Sequence, residues 1–190
     1  MLYANYSVTH SFDFEQRGKR IIMQKKTNIV LLGMPGSGKS TVGVLLVKRL
    51  GMRFLDTDLL IQEQEGRLLN EIIKEEGLDR FIEIENRINA SVVAENSVIA
   101  PGGSVIYGKE AMEHFKEIGE VIYLKLSYRS VAKRLGDLTK RGVVFRPGQT
   151  LKELYKERCP LYEAYADYVV ECDGENIGET LEKVREEIGK

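Results

Sequence analysis

The stretch Gly33-Met-Pro-Gly-Ser-Gly-Lys-Ser40 limits what this chain can fold into more than any other part of it. It fits the pattern G-x-x-x-x-G-K-[ST]. It stands between NIVLLG, an apolar run with the β-branched content of a buried strand, and KSTVGVLLVKRLG, whose Val42, Leu45, Leu46 and Leu50 recur at helical spacing. A strand, a glycine-rich turn and a helix in that order direct backbone N–H groups and the positive end of a helix dipole at one anion. The loop therefore predicts a phosphate cradle built from Gly33, Gly36, Ser37, Gly38 and Thr41, with Lys39 reaching the β- and γ-phosphates and the Ser40 hydroxyl ligating Mg²⁺. The nucleotide reads as ATP, since the N-K-x-D sequence that selects guanine does not occur.

Downstream, strand-like and helix-like segments alternate. RFLDTD, SVIAPGG, EVIYLKL and DYVVEC read as strands, and helices are expected over 59–76, 78–95, 109–118, 130–136, 150–165 and 178–188. This alternation predicts an α/β fold, a parallel sheet covered by helices on both faces, with ligands bound beyond the carboxyl ends of its strands. Three of those ends carry GMPGSGKST, DTD and PGGS. Asp56 and Asp58 are two residues apart at a strand end, so both carboxylates are expected to face one cleft. Phosphoryl transfer uses one carboxylate near the metal and another that aligns the acceptor hydroxyl or takes its proton.

Composition removes other classes. The 190 residues suit one domain, read as 23–190 after a tail of residues 1–22. Against 28 Lys+Arg stand 29 Asp+Glu, a formal net charge of −1 that lacks the basic footprint of a nucleic-acid binder. Cys159 and Cys172 are the only cysteines and are read as packing thiols; His10 and His114 are the only histidines, which leaves triad and multi-histidine metal chemistry without material. There is no run of about 20 apolar residues and no signal-peptide pattern at the start, so a cytoplasmic protein without membrane or obligate protein partners is expected.

The motifs GMPGSGKST, LDTD, GLDRFIEIE, PGGS, KRGVV and ERCPLYEAYAD together resemble the shikimate kinase family over about residues 27–188. The resemblance implies a three-layer α/β/α P-loop kinase fold of the nucleoside monophosphate kinase type, with five parallel strands, a substrate-binding helical region at about 57–95 and a lid at about 136–150. It implies transfer of the ATP γ-phosphate to the 3-hydroxyl of shikimate. In that reading Asp58 is the carboxylate at the acceptor hydroxyl and Asp56 assists Mg²⁺ directly or through water. Gly102, Gly103 and Ser104 stand where the family has three glycines at the acceptor, Arg158 grips the acceptor carboxylate, Arg141 closes over the phosphates, and Arg134 covers the adenine.

The sequence departs from the family pattern at three places: Ser104, the RGVV of the lid, and Ile82. The family segment Phe-Arg-x-x-Glu, whose arginine pairs with the acceptor carboxylate, is here Phe81-Ile82-Glu83-Ile84-Glu85. At about 100° per residue, Arg80 and Arg87 lie on other faces of the helix and do not replace that arginine. Two alternatives to shikimate phosphorylation therefore stay open: a kinase of the same chemistry acting on another small polyol, sugar acid or hydroxy acid, and a nucleotide-binding regulatory module. The presence of Lys39, Ser40, Asp56, Asp58 and Arg141 together favours the kinase.

Overall fold

The computed structural model describes residues 26–135, 145–174 and 176–189. The expected tail and Arg141, with most of the expected lid, lie outside the described residues. Five strands, β1 (Asn28–Leu32), β2 (Arg53–Asp56), β3 (Ser97–Ala100), β4 (Gly119–Lys125) and β5 (Tyr168–Glu171), form one all-parallel sheet in the order β2-β3-β1-β4-β5. Among the described residues eight helices accompany them: α1 (Lys39–Leu50), α2 (Thr57–Glu65), α3 (Leu69–Glu76), α4 (Leu78–Ala90), α5 (Lys109–Ile118), α6 (Tyr128–Leu135), α7 (Leu151–Tyr165) and α8 (Ile177–Glu187).

Central strand β1 is buried at every position and pairs with β3 on one side and β4 on the other. That accounts for its continuous apolar sequence, since helices cover both faces. Its first residue is the exception. Asn28, 1% exposed, donates to the carbonyls of Ala94 (2.7 Å) and Ile118 (3.0 Å) and accepts from the Ser97 amide (3.0 Å). One side chain thus satisfies backbone groups just before β3 and β4 and fixes both neighbours at the amino end of the sheet.

Helix α1 buries Val42, Gly43 and Leu46 and stops at Gly51, in the left-handed region (φ 66°), whose N–H bonds the Val47 carbonyl. The single helix expected over 59–76 is instead two. Gly66, at φ 64°, ends α2, and Leu68 restarts the chain as α3 with its N–H held by Glu71 Oε2 at 2.8 Å. The helix expected to reach residue 95 ends at Ala90, where the Ser91 hydroxyl takes the Ile88 carbonyl at 2.9 Å. Helix α7 runs through Pro160, because the carbonyl deprived of its donor, that of Lys156, lies on the solvent face.

Two apolar clusters result. The larger packs both faces of the sheet; the smaller, Ile61, Ile72, Phe81, Ile84 and Ile88, joins α2, α3 and α4. Tyr123 and Tyr162 stack at 5.1 Å in the larger one, and Cys159 and Cys172 are buried and form no disulfide, so the thiols pack as expected. Among the described residues no helix is long and apolar enough to cross a membrane.

Replacing Asn28 by Ala strands two carbonyls and one amide in the interior. Asn28→Ala is expected to destabilise the chain by roughly 2–4 kcal/mol, read as a lower midpoint in urea unfolding with an unchanged slope.

Candidate active site

Gly36, Gly38, Lys39, Ser40, Thr41, Asp56, Asp58, Gly102, Gly103, Ser104 and Arg158 all line one cleft of about 400 Å³ at the carboxyl edge of the sheet. Eleven of the fifteen residues singled out from the sequence therefore meet in one place. Of the other four, Gly33 and Ser37 belong to the loop without lining the cleft, Arg134 braces it from α6, and Arg141 lies outside the described residues.

The glycine-rich loop follows β1. Gly33 adopts φ 151°, and a Cβ there would lie 2.9 Å from the Leu124 carbonyl and 2.7 Å from Ser37 Oγ, so any side chain would push the loop off β4. Gly38 caps α1 without a side-chain bond, which leaves the first amides of the helix facing the cleft. Ser37 is 3% exposed, and its hydroxyl has no partner among the described residues. Arg134 Nη1 donates to the Ser37 carbonyl at 3.1 Å, which fastens α6 to the loop. Lys39 Nζ donates to the carbonyls of Gly33 (2.9 Å) and Met34 (3.4 Å). Burial pushes its pKa down to about 8, against the pull of Asp58 and Asp56.

The two aspartates do not share a strand. Asp56 ends β2 and caps α2; Asp58 already belongs to the first turn of that helix. The cause is local: Asp56 Oδ1 accepts the Asp58 N–H at 3.0 Å, which turns the chain into α2 two residues earlier than strand alternation suggests. Both side chains still reach the cleft. Asp56 uses its second oxygen as well, since Oδ2 accepts from the Ser40 hydroxyl at 3.3 Å, so cap and site contact coexist in one carboxylate. Burial and the neighbouring Asp56 charge raise the Asp58 pKa to about 6.

Past β3, the PGGS turn closes the far side. A Cβ on Gly102 would lie 2.5 Å from Glu85 Oε1 and 2.7 Å from Asp58 Oδ1, and one on Gly103 would lie 3.2 Å from Arg158 Nη1. Backbone thus passes directly against the charged groups of the cleft. Arg158, 1% exposed, is not a helix-surface arginine. Its Nε donates to Tyr107 Oη at 3.3 Å, its guanidinium carbon lies 5.3 Å from the Tyr107 ring centroid, and Tyr107 donates onward to Glu157 at 2.7 Å. Tyr162 Oη donates to the Gly103 carbonyl, so α7 holds the turn as well as the arginine.

The sequence reading left Glu85 out of the site. It occupies the apolar face of α4 with Phe81, Ile84 and Ile88, is 1% exposed, and lines the cleft. A carboxylate at helical spacing within a buried apolar stripe was the available signal. Leu69, Ile73 and Phe81 add an apolar wall. Ile82 is half-buried and does not line the cleft. The guanidiniums of α4 point elsewhere: Arg80 pairs with Glu83 (2.7 Å) and Glu76 (3.6 Å), and Arg87 with Glu65 (2.7 Å).

The model of the family described as shikimate kinase matches residues 35–189. A shikimate kinase of Thermodesulfovibrio yellowstonii is 37% identical over 163 residues, 84% of this chain and 94% of its own length; one of Persephonella marina is 35% identical, over 83% and 99%. Among solved structures, a shikimate kinase from Acinetobacter baumannii in complex with shikimate matches with a TM-score of 0.76 at 31% identity, covering 86% of this chain and 93% of that one. The fold, the P-loop cleft and these relatives agree, and the chain belongs to the shikimate kinase family of ATP-dependent kinases that phosphorylate a hydroxyl.

Proposed function

We propose that this chain transfers the γ-phosphate of ATP to the 3-hydroxyl of shikimate in a Mg²⁺-dependent, cytoplasmic reaction. The supporting observation is the single cleft that joins the P-loop lysine Lys39, the carboxylate of Asp58 and the buried guanidinium of Arg158. An intracellular, reducing location suits two buried cysteines that form no disulfide.

The residues present fit both the triphosphate and the metal. The uncapped N-terminus of α1 supplies donors to phosphate oxygens. Ser40 and Asp56 would hold the cation, being hard oxygen donors already 3.3 Å apart. When bound, Mg²⁺ neutralises charge on the β- and γ-phosphate oxygens. Lys39 keeps its charge at pH 7 and exchanges two backbone carbonyls for phosphate oxygens. Arg134, tied to the loop, flanks the base.

On the acceptor side, Asp58 is ionised at pH 7 and close enough to neutrality to accept a proton as the hydroxyl attacks. Arg158 takes the acceptor carboxylate, its planar fork suiting a bidentate contact and its orientation fixed by Tyr107. Gly102 lets the acceptor approach the backbone, and Leu69, Ile73 and Phe81 exclude water from the ring. One observation favours a second reading with the same chemistry and another hydroxy acid as acceptor. Ile82 leaves Arg158 the sole guanidinium lining the cleft among the described residues.

An assay of ADP release with ATP, Mg²⁺ and shikimate, beside a panel of polyols and hydroxy acids, separates the two readings. Saturable turnover with shikimate supports the first; turnover only with another acceptor supports the second. Asp58→Asn is expected to lower kcat by about 10²- to 10⁴-fold while ATP affinity changes less than about threefold. In the wild type, kcat/KM for the acceptor should fall as pH drops through about 6, where Asp58 takes up its proton.

The pH dependence of ATP binding has the opposite sense. Above pH about 8 the unliganded protein has lost the Lys39 proton that phosphate requires, so affinity declines as pH rises and binding takes up a proton. Calorimetry in buffers of different ionisation enthalpy should show this uptake near pH 8.5. Lys39→Ala should remove both the uptake and the activity.

A further inference from the structure

We propose that Glu157 is a positioning residue for acceptor binding: acting through Tyr107, it sets the direction of the Arg158 guanidinium, and it is itself held by a rigid turn outside the cleft, residues 146–149. The inference rests on the reading of Arg158 as the group that takes the acceptor carboxylate, and it assigns roles to Glu157 and Gln149, which that reading does not use.

The turn has its own sequence logic. Arg146-Pro147-Gly148-Gln149 puts proline second and glycine third, the order that suits a type II β-turn. Gly148 takes φ 78°, and the Gln149 N–H donates to the Arg146 carbonyl at 3.0 Å. The Gln149 side chain closes the same turn a second time, its Oε1 accepting the Arg146 N–H at 3.1 Å. With Oε1 so used, the amide nitrogen Nε2 faces α7 and donates to Glu157 Oε2 at 2.7 Å. Thr150, the next residue, caps α7 in a reciprocal bond with Glu153, so turn and helix are joined without slack.

From Glu157 the contacts run inward. Glu157 Oε1 accepts from Tyr107 Oη at 2.7 Å, and Tyr107 Oη accepts from Arg158 Nε at 3.3 Å. A phenol has one hydrogen to give. Because Glu157 takes it, the Tyr107 oxygen presents lone pairs to Arg158. The guanidinium is then fixed at its Nε edge by that bond and across its face by the Tyr107 ring, whose centroid lies 5.3 Å from Cζ. A carboxylate is the group this bridge needs, since both of its oxygens accept. An amide of the same shape offers one acceptor oxygen to two donors.

Tyr107, Gln149 and Glu157 do not line the cleft, so their influence on the acceptor passes through Arg158. Direction matters more than usual for this side chain. Arg158 is 1% exposed and is the sole guanidinium lining the cleft among the described residues, and a bidentate contact with a carboxylate requires the right plane as well as the right place.

Steady-state kinetics with ATP, Mg²⁺ and shikimate on Tyr107→Phe, Glu157→Gln, Gln149→Ala and their pairs test the bridge. Tyr107→Phe keeps the ring against the guanidinium and removes only the oxygen. Each single variant is expected to raise KM for shikimate about 3- to 10-fold, with kcat and KM for ATP changed less than about twofold. The rises should not multiply: Tyr107→Phe combined with Glu157→Gln should match Tyr107→Phe alone. A rise confined to Tyr107→Phe overturns the proposal, and so do independent rises that multiply. A lower KM in Glu157→Gln also overturns it, because loss of a negative charge near an anionic acceptor does that without any positioning. Parallel changes in kcat and in both KM values mark a merely structural residue and overturn it as well.

A second readout needs no acceptor. The Nε–H resonance of Arg158 in nitrogen-15 spectra, identified by its loss in Arg158→Lys, should exchange with water about 3- to 10-fold faster in Tyr107→Phe and in Glu157→Gln than in the wild type. Equal exchange in all three overturns the proposal. Wild-type protein that does not turn over shikimate removes the shikimate reading alone, and the resonance then decides this inference.

Discussion

A parallel sheet buried on both faces has one outlet for polar chemistry, the edge where its strands end, and the organisation of this chain follows from that constraint. β1 lies between β3 and β4 in fixed register, with Asn28 holding both neighbours at the amino end. The three loops at the opposite end are thereby held at distances set by strand spacing. The phosphate loop follows β1, the aspartate pair follows β2, and the Gly102–Gly103 turn follows β3. These are the three ends that border the cleft. Helix α7 crosses beneath them and adds Arg158. No segment of the site has to hold its own shape, because each is anchored to a strand or by a side chain from the core.

The cleft concentrates charge where water is scarce, and the ionisable groups respond by moving toward one another in pKa. Asp58 rises to about 6, Glu85 rises to about 7 and Lys39 falls to about 8. Burial is the first cause in each case, with opposite sign for acid and base. Groups that would be separated by several pH units in water become nearly matched. Proton exchange with a substrate hydroxyl or phosphate then requires little driving force. The arrangement costs stability, since burial disfavours the charged form of each of these groups, and the cost falls at the site rather than in the sheet.

Most of the scaffold was legible in the sequence because buried parallel strands read as apolar runs, and because the P-loop pattern needs a strand before it and a helix after it. The five strands and the cleft's main residues follow from those two facts. Failures occurred where local hydrogen bonding overrides periodicity. Asp56 caps α2 and draws Asp58 out of the strand; Gly66 breaks a helix whose apolar spacing runs on; Ser91 ends α4 early. Glu85 escaped notice for a different reason. A charged residue in an apolar stripe looks like an exception until the neighbouring elements show that it faces a cavity. Arg158 was legible only through its family motif, since nothing in the helical pattern of α7 distinguishes a buried guanidinium from a surface one.

The smaller apolar cluster gives the acceptor side a mechanical character of its own. Leu69 and Ile73 reach the cleft from α3, a helix of eight residues held mainly through Ile61, Ile72, Phe81, Ile84 and Ile88 rather than through the sheet. Such a unit opens at a free energy well below that of global unfolding. Backbone amides of α3 are therefore expected to exchange with solvent ahead of those in β1 and β4, the phosphate loop keeping its shape while the wall opposite it loosens. Nucleotide and acceptor thus meet surfaces of unequal stiffness, a rigid one that fixes the triphosphate and a yielding one that admits and releases the smaller molecule.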